Sequence, residues 1–451
     1  MGGGRPHPPR REAGLSVPGS AREVALHVLR RVAGRDTLAD ALAAPKAERL
    51  DERERALVHE LVLGTLRRRG WLDHVLAGAA SRPLEHVTPG VLDALRLGAY
   101  QLLFTRVAPH AAVSESVELA RNVEPRSAGF ANAVLRRLQR EGPPPEPDPD
   151  AGALAWLTSV GSLPAWLAER WLRQLGPGPA VARARALLVP PPTYVRLNAR
   201  VVDAEAQVRA VGLGLRSTAV PEALEAEGRV TGLAERGILY VQDAASQLVA
   251  RLAATDGLVL DACAAPGGKS LLIADAGGSR ARVVAAELSR RRLTTLVRLA
   301  SRWGATNVVP VAADALRPPF GADTFDAVLL DAPCSGLGTL ARNPDIRWRV
   351  GPQDLPRHAA RQRALLEALA PLVRPGGRLV YAVCSGEPEE TEDVLRTFLS
   401  AHGDFRIEEL PPWAERFADA GGARTDPVRD RTDAFYTACL RRAARPRGVV
   451  R

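Results

Sequence analysis

The chain has 451 residues, of which 46% are hydrophobic and 25% charged, and its net charge is +10. That length suggests roughly three structural units, and the composition is that of globular domains, which excludes disorder over the whole chain. No run of about 18 apolar residues exists, so no transmembrane helix is predicted. Four cysteines without a Cys-x-x-Cys pair exclude a disulfide scaffold and a zinc site.

Residues 1–19 read as a disordered basic tail of Gly, Pro and Arg, with no apolar core and so no secretory signal. A helical region follows over 20–141. Ser20 and Glu23 have the capping-box spacing, and Ala25, Val28, Leu29 and Val32 recur at helical period behind them. Further amphipathic helices are predicted over Arg53–Arg69, Val91–Phe104, Val113–Asn122 and Ala128–Gln139. Residues 142–150 hold five prolines and a glycine, and read as a stiff, extended linker.

A small α+β subdomain is expected over 151–240. Helices at Pro164–Leu175 and Ala180–Leu188 precede strands at Tyr194–Leu197 and Ile238–Val241. From 241 to 443 apolar runs alternate with helical segments. The runs are Leu258–Leu260, Val283–Ala286, Val308–Val311, Ala327–Leu330 and Leu379–Val383, with a late strand over 434–440. The helices are expected near Lys269–Ala276, Ser289–Trp303, Arg357–Val373 and Pro388–His402. The alternation implies a doubly wound α/β sheet. A short basic tail closes the chain over 444–451.

Ligands of such a sheet bind at the carboxyl ends of its strands, so the residues just past each run carry the information. After the first run come Cys263, Ala264, Ala265, Pro266, Gly267, Gly268 and Lys269. Two glycines opening a helix present backbone N–H groups to an anionic ligand group. A nucleotide P-loop would need Gly where Cys263 stands, and the dinucleotide pattern Gly-x-Gly-x-x-Gly is absent. The second run ends at Glu287, placed to accept from a ribose diol. The third leads to Asp314, placed to accept from an adenine amino group. Taken alone, Glu287 reads more plainly as a surface acid, and for Asp314 that reading is equally good.

The fourth run ends in Asp331-Ala332-Pro333-Cys334-Ser335 and the fifth in Tyr381-Ala382-Val383-Cys384-Ser385. A lone free cysteine is most often a small buried hydrophobe. Two at equivalent strand ends share one cleft. Two thiols and an acid beside a nucleoside-type cofactor suit one reaction. A thiolate adding to carbon-6 of cytosine makes carbon-5 an enamine carbon that can take a methyl group, and an acid near N3 steadies the charge. The carbon-5 proton must then leave and the thiol be eliminated, which a second thiol can assist.

These segments resemble the motifs of the Sun/Nop family of RNA cytosine-C5 methyltransferases, as do Arg342–Trp348, Val241–Ser246 and Pro191–Asn198. The region 20–141, including Phe130–Arg136, is similar to NusB. The combination resembles the bacterial Sun/Fmu type, which acts on small-subunit ribosomal RNA. The resemblance implies a NusB-like all-α domain, a small RRM-like α+β subdomain and a Rossmann-like class I methyltransferase domain. It implies that Cys384 is the nucleophile, Cys334 promotes product release and Asp331 meets the N3 edge of the base. It implies that Cys263 through Lys269, with Glu287, Asp314 and Asp331, bind S-adenosylmethionine. Val383 replaces the family's usual Thr, and Asp433-Ala434-Phe435-Tyr436 stands in place of Asp-Gly-Phe-Phe. A cytoplasmic monomer without metal or membrane attachment is expected, with ribosomal RNA as partner.

Two other readings exist. A non-catalytic, NusB-like RNA binder would have no need of two strand-end cysteines. A methyltransferase acting on DNA would use the Pro-linked cysteine alone, and one acting on another RNA, such as tRNA, would share the same motifs. All but two of the 61 basic residues are Arg, the exceptions being Lys46 and Lys269. Arg suits phosphate through its paired donors.

Overall fold

The computed structural model describes residues 20–34, 36–43 and 50–444. The tail expected over 1–19, Lys46, and residues 445–451 of the closing tail lie outside them. The chain divides into two compact units, Met1–Ser162 and Leu163–Arg451. Among the described residues, no helix is long and apolar enough to cross a membrane.

The described part of the first unit is helical: α1 (Ala21–Ala33), α2 (Leu38–Leu42), α3 (Glu52–Arg67), α4 (Arg69–Ala79), α5 (Pro89–Phe104), α6 (Pro109–Val123), α7 (Ala128–Glu141) and α8 (Ala153–Thr158). The capping box forms at α1. The Glu23 N–H donates to Ser20 Oγ at 3.3 Å, and the Ser20 N–H donates to Glu23 Oε2 at 3.1 Å. The single helix expected over 53–69 breaks at Arg68, whose ψ of 9° leaves the helical region. The break lets α4 turn Trp71, Leu72, Val75 and Leu76 inward. Helix α5 is the hub, with Val91, Ala94, Leu95, Leu97 and Ala99 buried. Tyr100 of α5 packs where Gly64 of α3 has no side chain; a Cβ there would lie 2.0 Å from the ring. Residues 142–150 form neither helix nor strand, as prolines lacking N–H donors require.

The second unit opens with α9 (Ala165–Leu175) and α10 (Pro177–Leu187), then a four-stranded antiparallel sheet in the order β2-β3-β1-β4. Its strands are β1 (Thr193–Leu197), β2 (Gly214–Ser217), β3 (Leu224–Glu227) and β4 (Leu239–Val241), covered by α11 (Ala204–Ala210) and α12 (Thr231–Glu235). Val195, Val208, Leu233 and Leu239 form its core. After α13 (Ala244–Ala253) the large sheet begins with β5 (Leu258–Asp261), α14 (Gly268–Ala276), β6 (Arg282–Glu287), α15 (Arg290–Trp303), β7 (Val308–Ala312) and β8 (Phe325–Asp331). It continues through α16 (Ile346–Arg349), α17 (Asp354–Leu369), β9 (Val373–Val383), α18 (Glu392–Ala401), β10 (Phe405–Ile407), β11 (Ala418–Asp419), β12 (Gly422–Arg424) and β13 (Tyr436–Arg442).

The order is β11-β12-β13-β9-β8-β5-β6-β7, with β10 beside β13. Strands β5 to β9 pair in parallel, and β13 runs antiparallel to β9. One apolar layer packs Leu248, Leu271, Ile273 and Leu296 on one face of the sheet, and another packs Leu365, Leu366, Leu369 and Phe398 on the other. This is the doubly wound class the alternation predicts. From β5 the chain winds outward through β6 and β7, then returns to the other side for β8. That reversal opens a crevice above the carboxyl ends of β5 and β8.

Candidate active site

The crevice is lined by Tyr240, Gln242, Ser246, Asp261, Cys263, Ala264, Ala265, Pro266, Gly268, Lys269 and Asp331. Gly267 reverses the chain between β5 and α14 with a φ of +114°, a conformation that favours glycine. A Cβ on Gly268 would lie 2.6 Å from the Tyr240 ring. The first-turn N–H groups of α14 therefore face the crevice at close range, with no partners inside the helix.

Arg196 of β1 locks this turn from below. Its guanidinium is buried and donates to the Gly268 carbonyl at 3.2 Å, to Asp275 at 3.2 Å and to Gln242 at 3.3 Å. It stacks 4.5 Å from the Trp303 ring centre, while the Trp303 indole N–H donates to Asp275 at 2.8 Å. Burial lowers its pKa to about 10, against the pull of Asp275, so it stays a cation. Trp303 is thus a packing residue, tying the small sheet to the loop above the large one.

Asp261 closes β5. Its Oδ2 accepts from Ser270 Oγ at 2.6 Å, and its Oδ1, also buried, has no hydrogen-bond partner. Burial pushes this carboxyl up to about 7, with the Ser270 hydrogen bond opposing and the Asp331 charge adding. Cys263 is pushed up to about 12 by burial and the surrounding acids, so it lines the crevice as a thiol. Glu287 is buried at the end of β6. Its Oε1 accepts from the Ser289 N–H at 2.8 Å, and Arg292 spans from its Oε2 to the Ala265 carbonyl. Asp314 is half-buried past β7, its Oδ1 taken by the Leu316 N–H. Glu287 and Asp314 stand farther along the same sheet edge and do not line the crevice as it is formed.

At the end of β8, Asp331 accepts from Lys269 Nζ at 2.7 Å. Burial acts to lower the Lys269 pKa. The charge and hydrogen bond of Asp331, with Asp261 and Cys384, more than offset it, so the group is raised and cationic. In a chain whose cations are otherwise almost all Arg, a compact ammonium stands here, 5.2 Å from the Phe435 ring centre.

The two strand-end thiols meet. Cys334 Sγ and Cys384 Sγ are 3.0 Å apart, and both residues are partly exposed. Pairing of β8 with β9 places Asp331 opposite Ala382, and the Ala332 N–H donates to the Ala382 carbonyl at 2.8 Å. The Gly338 N–H then donates to the Cys384 carbonyl at 3.0 Å and its carbonyl accepts from Ala434. A Cβ on Gly338 would lie 1.9 Å from the Ala434 oxygen, so only glycine fits between these loops. Cys334 is held well up as a thiol, by its hydrogen bond to Cys384 first and by burial second. Cys439 is buried within β13 and lies in the apolar layer, away from this pair.

Several crevice residues escape the sequence reading. Asp261 lies inside the quoted segment, but nothing in sequence marks one of its oxygens as unpartnered. Tyr240 precedes, and Gln242 and Ser246 lie within, the segment Val241–Ser246, which the resemblance marks without giving these residues a role. Among the described residues, no group of three or more His, Cys, Asp or Glu could hold a metal ion.

Comparison with known proteins identifies the family of each part of the chain. The family described as 16S rRNA methyltransferase RsmB/F matches residues 250–441, and the NusB family matches residues 19–140. The ribosomal RNA small subunit methyltransferase B of Thermus thermophilus is 39% identical, over 87% of this chain and 89% of its own. The probable ribosomal RNA small subunit methyltransferase B of Bacillus subtilis is 33% identical, over 94% of this chain and 99% of its own. Among solved structures, that of PH0851 matches with a TM-score of 0.76 at 26% identity, covering 94% of this chain and 99% of the other.

Proposed function

The chain belongs to the RsmB/F family of 16S rRNA methyltransferases, and from that premise we propose that it methylates carbon-5 of a cytosine in small-subunit ribosomal RNA through a covalent bond between Cys384 and carbon-6. It is an S-adenosylmethionine-dependent RNA methyltransferase, with a NusB-like helical region and a Rossmann-like catalytic domain. The observation that carries the finer reading is the 3.0 Å approach of two sulfurs beside the Lys269–Asp331 pair.

The crevice fits the cofactor. Asp261 offers a buried, unpartnered carboxylate oxygen for an ammonium, and the first turn of α14 offers N–H groups for a carboxylate. Glu287 and Asp314 suit the ribose and the adenine. S-Adenosylmethionine supplies an electrophilic methyl group when bound. Asp261 must be ionised to receive an ammonium, and its pKa stands at about 7. Binding should therefore weaken as pH falls through that value, by about tenfold between pH 8 and pH 6. Calorimetric titration across this range checks the slope, which Asp261→Asn should flatten.

Cytosine carbon-5 is a weak nucleophile. Cys384 gives up its proton to water, and the thiolate bonds to carbon-6 through a sulfur lone pair; the pair of the 5,6 double bond becomes available at carbon-5 and negative charge moves toward N3 and O2. Lys269, held cationic, steadies that charge. Asp331 accepts from the amino group on the N3 edge. Once carbon-5 carries its methyl group, its proton leaves to water and the C–H pair restores the double bond. The carbon–sulfur bond breaks with its pair going to Cys384, and the Cys334 thiol, 3.0 Å away, donates to the departing sulfur. The charges sort the two roles. Cys334 feels the anionic Glu390, whereas Cys384 lies within electrostatic reach of Lys269.

The target base must leave any helix to enter the crevice. The NusB-like region and the small sheet are proposed to grip the RNA backbone through Arg. The test is product analysis. The full chain is incubated with S-adenosylmethionine and unmethylated small-subunit ribosomal RNA, which is then digested to nucleosides for mass spectrometry. 5-Methylcytidine is expected; N4-methylcytidine or a methylated purine would overturn the reading.

A further inference from the structure

Glu390 sits in the single turn after the Cys384 loop and is wholly buried. No cation pairs with its carboxylate among the described residues. Its Oε1 accepts from the Ser335 N–H at 2.8 Å and from Gln362 Nε2 at 3.1 Å, and its Oε2 accepts from the Ser335 hydroxyl. The same Gln362 amide donates to the Pro333 carbonyl at 3.2 Å. Both neighbours of Cys334 are therefore held by one network, anchored in the loop that follows Cys384. The Tyr381 hydroxyl closes it, donating to the Glu390 carbonyl and lying 3.1 Å from Gln362 Oε1.

A buried carboxylate without a counter-ion is costly, and three neutral donors soften this only in part. If the residue served only to hold Ser335, a glutamine could make comparable contacts without the charge. The charge acts on the one titratable sulfur beside it. The other charged groups nearby are compensated or more distant. Glu387 and Glu389 of the same turn pair with Arg170 of α9, and Glu392 of α18 pairs with Arg424. Arg363 of α17 bears on Tyr381, which burial keeps neutral.

We propose that Glu390 is a positioning residue for Cys334, fixing its sulfur against Cys384 and keeping the proton on it for the departing Cys384. The use made of that proton rests on the covalent reading above; the state of the thiol does not. Alkylation by iodoacetamide reads that state directly. In full-length protein carrying Cys384→Ala, the rate of Cys334 modification is followed against pH, with and without Glu390→Gln. Loss of the anion should move the midpoint down by about one pH unit, with the melting temperature little changed. An unmoved midpoint in a folded Glu390→Gln protein overturns the proposal.

Ser335→Ala provides the second arm, loosening the grip while leaving the charge. The midpoint should stay high. In the enzyme with Cys384 intact, the same substitution should lower kcat several-fold with the KM for RNA unchanged. A midpoint that falls with Ser335→Ala would assign the effect to loosened structure rather than charge. An unchanged kcat would remove the positioning role, even if Glu390→Gln failed to fold. Neither failure touches the identity of the methylated atom, which nucleoside analysis decides separately.

Discussion

Replacing Cys384 with alanine is expected to abolish methyl transfer, by about 10⁴-fold or more, while affinities for RNA and S-adenosylmethionine stay within about twofold of the parent. Without a sulfur bonded to carbon-6, carbon-5 has no enamine character, and nothing else in the crevice supplies it. Cys263 is held as a thiol by burial and surrounding acids, and Cys334 by its own environment. Binding should survive because the loop is fixed by its backbone. The Gly338 N–H donates to the Cys384 carbonyl and the Ala332 N–H to the Ala382 carbonyl, contacts that an alanine side chain leaves intact. The loss is one sulfur at a partly exposed position, not a deep void. Single-turnover incorporation of labelled methyl, with filter binding of the same RNA, separates the two quantities. Residual activity above about a tenth of the parent would show that Cys384 is not the nucleophile.

The large sheet was legible because its strands are buried on both faces and read as continuous apolar runs. Strand ends follow from run ends, so Asp331, Cys334, Cys384 and Glu287 could be placed at one sheet edge before any coordinates. Strand β9 begins at Val373, where the sequence pattern still expects the preceding helix, and takes in Pro375-Gly376-Gly377, residues that disfavour a strand interior. The shift in register between Phe325 and Ala327 on β8 accommodates that segment in the sheet. Strands β2 and β3 gave no signal, since only Ala226 is buried in either. Their pairing comes from backbone partners that periodicity cannot reveal. Arg196, one strand residue among many arginines, could not be told from a phosphate contact. Only the structure shows it stacked on Trp303 and holding the glycine turn. Nothing in the sequence marks Glu390, because its partners are a backbone N–H, a serine and an amide far away in the chain.

Replacing Cys334 with alanine is expected to trap the enzyme on its substrate, with a covalent protein–RNA complex accumulating to a large fraction of the protein. Multiple turnover should fall by about 100-fold or more, while formation of the first carbon–sulfur bond is spared. The reasoning is one of sequence in time. Attack on carbon-6 uses Cys384 with the Lys269 charge, and neither depends on the second sulfur. Release requires Cys384 to depart with its electron pair, and the only thiol 3.0 Å from it is Cys334. Without that donor the departing sulfur is less stabilised and more readily adds back to the ring. The complex should survive boiling in detergent and appear as a shifted band carrying labelled RNA. It should vanish when Cys384 is also replaced, since the bond is made by that sulfur. If the shifted band forms with Cys384→Ala and not with Cys334→Ala, the two sulfurs have exchanged roles. The charge asymmetry drawn from Lys269 and Glu390 would then be wrong, because it assigns the sulfur beside the cation to attack and the sulfur beside the anion to release.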